Sequence, residues 1–238
     1  MRMKAILVLT AAIAFAAAPF QFPEFRGFDP DLYPVPQVDP PVQPAGYAFG
    51  IWGVIYLWLL GHAGYGLFAR ADDAAWDATR WPMIVSLVIG AAWLGVALTS
   101  PLWATLLIWV MLVAALAALL PAARGGDRAW LALPVGLYAG WLTAASWVAI
   151  GLTGAGYGIG PGQTGWAVIG LAGAIATAAA VQWRLPRTPS YGIAAVWALV
   201  AVVVRNFGTA PGLAALAALG ALALAGLLGW QWRLQRGS

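Results

Sequence analysis

Long apolar stretches constrain this chain more than any other feature. Eight of them cover about residues 5–18, 46–69, 81–99, 102–120, 129–152, 165–183, 191–204 and 212–232. A helix needs about 20 residues to cross the hydrocarbon of a bilayer, and a barrel strand about 9–11 residues with alternating faces. These stretches are rich in Ala and Leu and do not alternate, so the expected fold is all-α: a polytopic bundle of about eight transmembrane helices. Composition agrees. Only 8% of the 238 residues are charged, against about a quarter in a soluble domain, too few to cover a water-facing surface.

The first stretch follows Arg2 and Lys4 and also has the form of a signal peptide, with Ala16-Ala17-Ala18 as the candidate cleavage site. Pro19 would then begin the mature chain, which is unfavourable, so retention is the expectation. The segment from Pro19 to Pro44 carries eight prolines and four of the eight acids, Glu24, Asp29, Asp31 and Asp39. Proline at that density blocks helix and favours extended backbone. A loop of this length in a bundle is either a solvated linker or a lid.

Charge fixes an expected orientation. With the N-terminus inside, the inner positives are Arg2, Lys4, Arg70, Arg80, Arg124, Arg128, Arg184, Arg187, Arg233 and Arg236, and only Arg26 and Arg205 lie outside. The positive-inside rule then places both termini in the cytoplasm and the proline-rich loop outside. This bias, with no cysteine anywhere, fits a multi-pass protein of a bacterial inner membrane. The basic residues form no patch, so nucleic acid is not an expected partner. The lipid bilayer is.

No cysteine and a single histidine exclude thiolate and His-cluster metal sites. No acid falls in the eight stretches, and no metalloprotease, nucleophile-elbow or phosphate-loop motif occurs. Enzymatic activity is therefore not expected, apart from photochemical porphyrin breakdown in a tryptophan-rich cavity, and no covalent cofactor is expected. Gly154 to Gly160 lacks the spacing of a nucleotide loop and reads as a link between the fifth and sixth spans. Gly46/Gly50 and Gly136/Gly140 have the GxxxG spacing that permits close helix approach.

Fifteen tryptophans stand out. Trp76, Trp81, Trp103, Trp130, Trp166, Trp183, Trp230 and Trp232 lie near span ends, where interfacial anchoring explains them. Trp52, Trp58, Trp93, Trp109, Trp141, Trp147 and Trp197 lie deeper and either pack on helices or line a cavity for a flat apolar ligand. In the second span, Phe49, Trp52 and Tyr56 share one helical face, and Trp58, His62 and Tyr65 share the opposite one. His62 is either a ligand to a porphyrin metal or bound molecule, or a neutral side chain bonded to a neighbouring helix. Arg205 either latches the loop through Asp29, Asp31 or Asp39, binds a propionate or phosphate, or snorkels to the interface.

Two segments resemble the TspO/MBR family of tryptophan-rich sensory and translocator proteins. One is Pro44-Ala-Gly-Tyr47-Ala-Phe49-Gly-Ile-Trp52-Gly-Val-Ile-Tyr56. The other is Tyr138-Ala-Gly-Trp141-Leu142-Thr143-Ala-Ala145. Trp93 sits where the family has a Trp, and the proline-rich loop also agrees. The chain departs at Gly90 and Ala149, where the family has asparagines, and in its last three spans. The resemblance implies a five-helix unit over 1–152, an added three-helix segment over 153–238, and a cavity under the first loop for a porphyrin, haem-like tetrapyrrole or sterol-like lipid. By that carry-over, with His62 and Arg205 added from the residues themselves, the candidate ligand-binding residues are Phe49, Trp52, Tyr56, Trp93, Tyr138, Trp141, His62 and Arg205. The readings in order are a receptor, carrier or regulator for such a ligand, an accessory or assembly subunit of a larger membrane complex, and a secondary transporter. A homodimer or a membrane-complex partner fits the first two.

Overall fold

In the computed structural model, which describes residues 1–22, 25 and 27–236, the apolar stretches form α1 (Arg2–Ala17), α2 (Ile51–Phe68), α3 (Ala74–Ala97), α4 (Pro101–Ala122), α5 (Leu133–Gly156), α6 (Gly162–Arg184), α7 (Pro189–Asn206) and α8 (Pro211–Arg236). There is no strand among the described residues. A 3₁₀ segment, Gly46–Gly50, leads into α2, and a π-helical turn, Arg128–Ala132, leads into α5. With these flanking turns, all eight helices are long and apolar enough to cross a membrane. Helix is forced here because hydrocarbon offers no partner to the backbone N–H and C=O groups, which must pair within the segment.

The helices close in a definite order. α1 packs on α2 and α3, α3 on α4, α4 on α5, and α5 on α2, which makes a ring. α6 and α7 pack on the outer side of α5, and α8 covers both. α5 is therefore central and buried along most of its length. One apolar core runs from Val8 to Leu224 through both groups of helices. The 152/153 division drawn from the resemblance falls inside the last turn of α5, which continues to Gly156.

Small residues decide how closely α5 is approached. A Cβ added at Gly140 would overlap the Tyr191 backbone, and one at Gly136 would meet Thr188 and Ser190 at 2.5–2.6 Å. Ser190 also donates to the Leu133 carbonyl at 2.7 Å. This GxxxG pair seats the start of α7. The second pair differs from expectation: at Gly46 and Gly50 an added Cβ meets nothing within 4 Å. No helix presses on that stripe. The Gly154–Gly160 stretch also differs from a free link, because Gly154 lies under the Trp166 ring and Gly156 under Tyr33.

At the end of the bundle holding the chain termini, α3 begins earlier than hydropathy suggests. Asp73 caps it by accepting from the amides of Ala75 and Trp76 at 2.8 and 3.1 Å. The extra turns bring Asp77 and Arg80 into the helix, so one acid does lie in an apolar helix. The reason is local pairing: Asp77 accepts from Lys4 at 2.7 Å and from Arg80 at 3.1 Å. Arg80 is only 3% exposed. It donates to the carbonyls of Arg70 at 2.8 Å and Ala71 at 2.7 Å. A cation at these carbonyls, just past the C-terminus of α2, also complements the helix dipole. Trp76, expected at an interface, is buried against His62, with ring centroids 4.9 Å apart.

At the same end, Gln182 and Gln231 are buried and joined twice at 2.9 Å, and Gln182 Oε1 also accepts from the Gly192 amide at 2.9 Å. These bonds tie α6, α7 and α8 together. We predict that Gly140→Ala lowers stability by about 1–3 kcal/mol through overpacking. Gly64→Ala, where an added Cβ meets nothing, should stay within about 0.5 kcal/mol of the parent. Unfolding of the purified protein in mixed micelles, followed by circular dichroism, measures both.

Candidate functional site: a cavity beneath the proline-rich loop

The centre of the helix ring is not filled. A cavity of about 530 Å³ lies there, within the range of small-molecule sites. Its walls come from α1 to α5, the loop, and also α6 and α7.

The first aromatic face of the α2 region supplies one wall. Phe49, Trp52 and Tyr56 all line the cavity. Trp52 stacks on Tyr56 at 5.4 Å and meets Trp141 edge-on at 6.2 Å. Phe49 meets Trp141 edge-on at 6.1 Å. Trp93 lines the cavity from α3, its indole held by a 2.8 Å bond to the Ala104 carbonyl. Gly90 and Ala149 also line it. At Gly90 the Phe15 ring occupies the space, since an added Cβ would lie 2.6 Å from it. An asparagine has no room there. Phe15 is the only aromatic residue of α1, a signal that the sequence analysis did not use because no motif surrounds it.

The other three candidates stand elsewhere. Tyr138 is fully buried behind the wall, edge-on to Phe15 at 5.7 Å. Its hydroxyl lies 2.9 Å from Ser86 Oγ, which donates to the Met111 carbonyl, so the Tyr138 hydroxyl is the donor to Ser86. His62 lies at the opposite end of α2. Its Nδ1 is 2.7 Å from the Trp130 carbonyl and therefore carries the proton, since a carbonyl only accepts. Trp58 donates to the Ala129 carbonyl at 3.1 Å, and Tyr65 stacks on Trp130 at 5.6 Å. The second face of α2 thus docks on the π-helical turn.

Arg205 pairs with Asp39, which is 83% exposed in its side chain. Of the three acids weighed, Asp39 is the partner found; Arg26 and Glu24 lie outside the described residues. An exposed pair of this kind is worth about 0–1 kcal/mol. The stronger tether is the next residue, Asn206, which the sequence reading passed over. It is buried, and its Nδ2 donates to the Pro41 carbonyl at 2.8 Å and to the Val202 carbonyl at 2.9 Å.

The loop is fixed at further points. The Val35 amide donates to the Gly156 carbonyl at 2.8 Å, and the Ala45 amide to the Ala201 carbonyl at 3.1 Å. Phe25 and Phe28 reach down to the rim and meet Trp93 edge-on at 5.2 and 6.2 Å. Tyr33 is buried under this roof, and that burial pushes its phenol pKa up. The roof is therefore tied to α5 and α7, and its underside is aromatic.

No charged side chain lines the cavity among the described residues. Among the described lining residues, Trp141 has a fully buried donor: it is 2% exposed, and its Nε1 has no hydrogen-bond partner among the described residues. A buried N–H without a partner costs about 1–3 kcal/mol. The site can thus hold an apolar, aromatic-compatible molecule. It offers no described acid or base for proton transfer.

The model of the family described as TSPO-like protein matches residues 35–230. The chain belongs to this family. The match runs from within the loop to the last turns of α8, so it includes the helices that complete the cavity wall. Neither the curated proteins nor the solved structures contain a significant match.

Asn206→Leu should loosen the roof by about 1–3 kcal/mol, and Arg205→Gln by less than about 1 kcal/mol. Hydrogen exchange of the Ala45 amide, compared across the two variants and the parent, reads the difference.

Proposed function

We propose that this TSPO-like membrane protein binds a flat apolar ligand, a tetrapyrrole or a sterol-like lipid, and acts on it by binding, as a receptor, carrier or regulator, not by catalysis. The observation that carries this reading is the cavity of about 530 Å³ walled by Phe49, Trp52, Trp93 and Trp141 under a tethered roof. Edge-on rings around an open centre leave π-faces for a ligand ring, and aromatic contacts of this kind are worth about 0.5–1.5 kcal/mol each beyond area burial.

Titrating protoporphyrin into the purified protein and following tryptophan emission tests it. Quenching should saturate in the micromolar range. Trp52→Ala and Trp141→Ala should each weaken affinity by about tenfold, the equivalent of about 1.4 kcal/mol. His62→Ala should leave affinity within about twofold, because His62 is outside the cavity. Unquenched emission at tens of micromolar ligand would sink the reading.

The proposed setting is a bacterial inner membrane with both termini in the cytoplasm. The roof-side end of the bundle then faces outward, which is supported by the ten basic residues at the other end. The chain has no native cysteine, so single-cysteine reporters are clean. Asp31→Cys should react with a membrane-impermeant maleimide in intact cells, and Asp72→Cys only after lysis. The reverse pattern would invert the topology.

A further inference from the structure

The cavity has a floor, and one side chain of α1 makes it. α2 and α4 enter the bundle at the roof, and their innermost lining residues are Tyr56 and Met111. α3 and α5 run toward the roof, and their innermost lining residues are Gly90 and Trp141. Phe15 lies at this level. Its ring is 5.1 Å from that of Tyr56 and 5.7 Å from that of Tyr138, which stands one turn further in than Trp141. A Cβ added at Gly90 would lie 2.6 Å from the same ring and 3.0 Å from Met111 Cε. Side chains on a helix lean toward its N-terminus, so Phe15, close to the roof end of α1, reaches inward. Behind it the Tyr138 hydroxyl, Ser86 Oγ and the Met111 carbonyl are bonded in series. The height of α1 is fixed at its far end, where Lys4 pairs with Asp77 at 2.7 Å and Arg80 donates to the Met1 carbonyl at 3.0 Å.

We propose that Phe15, seated in the space left by Gly90, determines the specificity of the cavity. It sets the depth to which a ring system enters, and it selects the edge that points inward. That edge is apolar and of limited size. Acidic substituents lie on the opposite edge, toward the roof. This rests on the ring-binding reading above. Three features argue for it. Phe15 is 4% exposed and packed edge-on against Trp52, Tyr56 and Tyr138, so its ring is a fixed stop. A carboxylate set against it would be buried with no described counter-ion, which is costly. The one amide side chain among the described lining residues, Gln43, belongs to the roof, so the lining becomes more polar toward that end.

The test uses two porphyrins that differ only on the edge away from their two propionates. Deuteroporphyrin IX carries two hydrogens there, and mesoporphyrin IX two ethyl groups. Each is titrated into the protein in nanodiscs, with quenching of tryptophan emission as the readout. The quantity compared is the preference for mesoporphyrin over deuteroporphyrin. Removing the stop in Phe15→Ala should raise this preference by about tenfold, since the ethyl carbons gain a place to be buried. Phe15→Leu, a milder truncation, should raise it by about threefold. Gly90→Ala should lower it by about threefold, because the new methyl displaces the Phe15 ring while Tyr138 blocks retreat inward, so the ring moves into the cavity. Ile13 is exposed on the outer side of α1 and lies outside the cavity, so Ile13→Ala controls for a truncation in this helix and should change the preference by less than about twofold. Partitioning of each porphyrin into the lipid is common to all the proteins and cancels. If Phe15→Ala does not fold, the opposite shifts of Phe15→Leu and Gly90→Ala decide. An unchanged preference in these variants, with quenching in the parent, overturns the floor and leaves ring binding standing. No quenching by either porphyrin in the parent overturns ring binding and the floor with it.

Discussion

Hydrocarbon offers nothing to hydrogen-bond with, and this fold is organised around that fact. Each polar group inside it has to find a partner within the protein. Arg80 finds backbone carbonyls just past the end of α2 and the Asp77 carboxylate. Gln182 and Gln231 find each other and the start of α7. Asn206 finds Pro41 and Val202. These bonds are modest singly, about 0.6 kcal/mol on average for helix–helix bonds in a membrane. They act where helices end, so they fix the relative heights of helices that apolar packing alone leaves free to slide.

The same constraint gives the cavity its character. Its walls are mostly apolar and aromatic, and polar atoms in and just behind them are committed within the protein: Trp93 to Ala104 in the wall, Tyr138 to Ser86 behind it. Trp141 is the exception: its buried Nε1 has no hydrogen-bond partner among the described residues. The roof is built on a related principle. It is rich in proline, so it cannot satisfy its backbone by forming helix, and it borrows carbonyls from α5 and α7 instead. This makes α7 part of the site's architecture. Helices beyond the five-helix ring thus hold the roof and complete the wall.

Much of this was legible along the chain. Apolar length gave eight helices, and the opposed faces of α2 separated Phe49, Trp52 and Tyr56 from Trp58, His62 and Tyr65. Trp93 and Trp141 were found through resemblance and do line the cavity. Other features were not legible, for identifiable reasons. Tyr138 belongs to the same motif as Trp141 but lies behind the wall, since motif membership says nothing about depth. His62 carries a chemistry that suits ligands and structural bonds equally, and only the position of the Trp130 carbonyl decides between them. The two GxxxG pairs are indistinguishable in sequence, yet one is pressed against Tyr191 and the other opens on empty space. A glycine records that something can approach, not that it does.

By itself the sequence determined that this chain lies in a membrane, how many helices cross it, and which residues share each helical face. Those properties depend on hydropathy and helical period, which are local. The tertiary structure alone decided the ring order of α1–α2–α5–α4–α3, the placement of α6 and α7 against α5, the tethering of the roof by Asn206, and the uncovered glycine face at Gly46 and Gly50. Those depend on which surfaces meet, and in lipid, where all apolar faces are alike in hydrophobicity, that choice is made by steric fit and by the few polar groups that must pair.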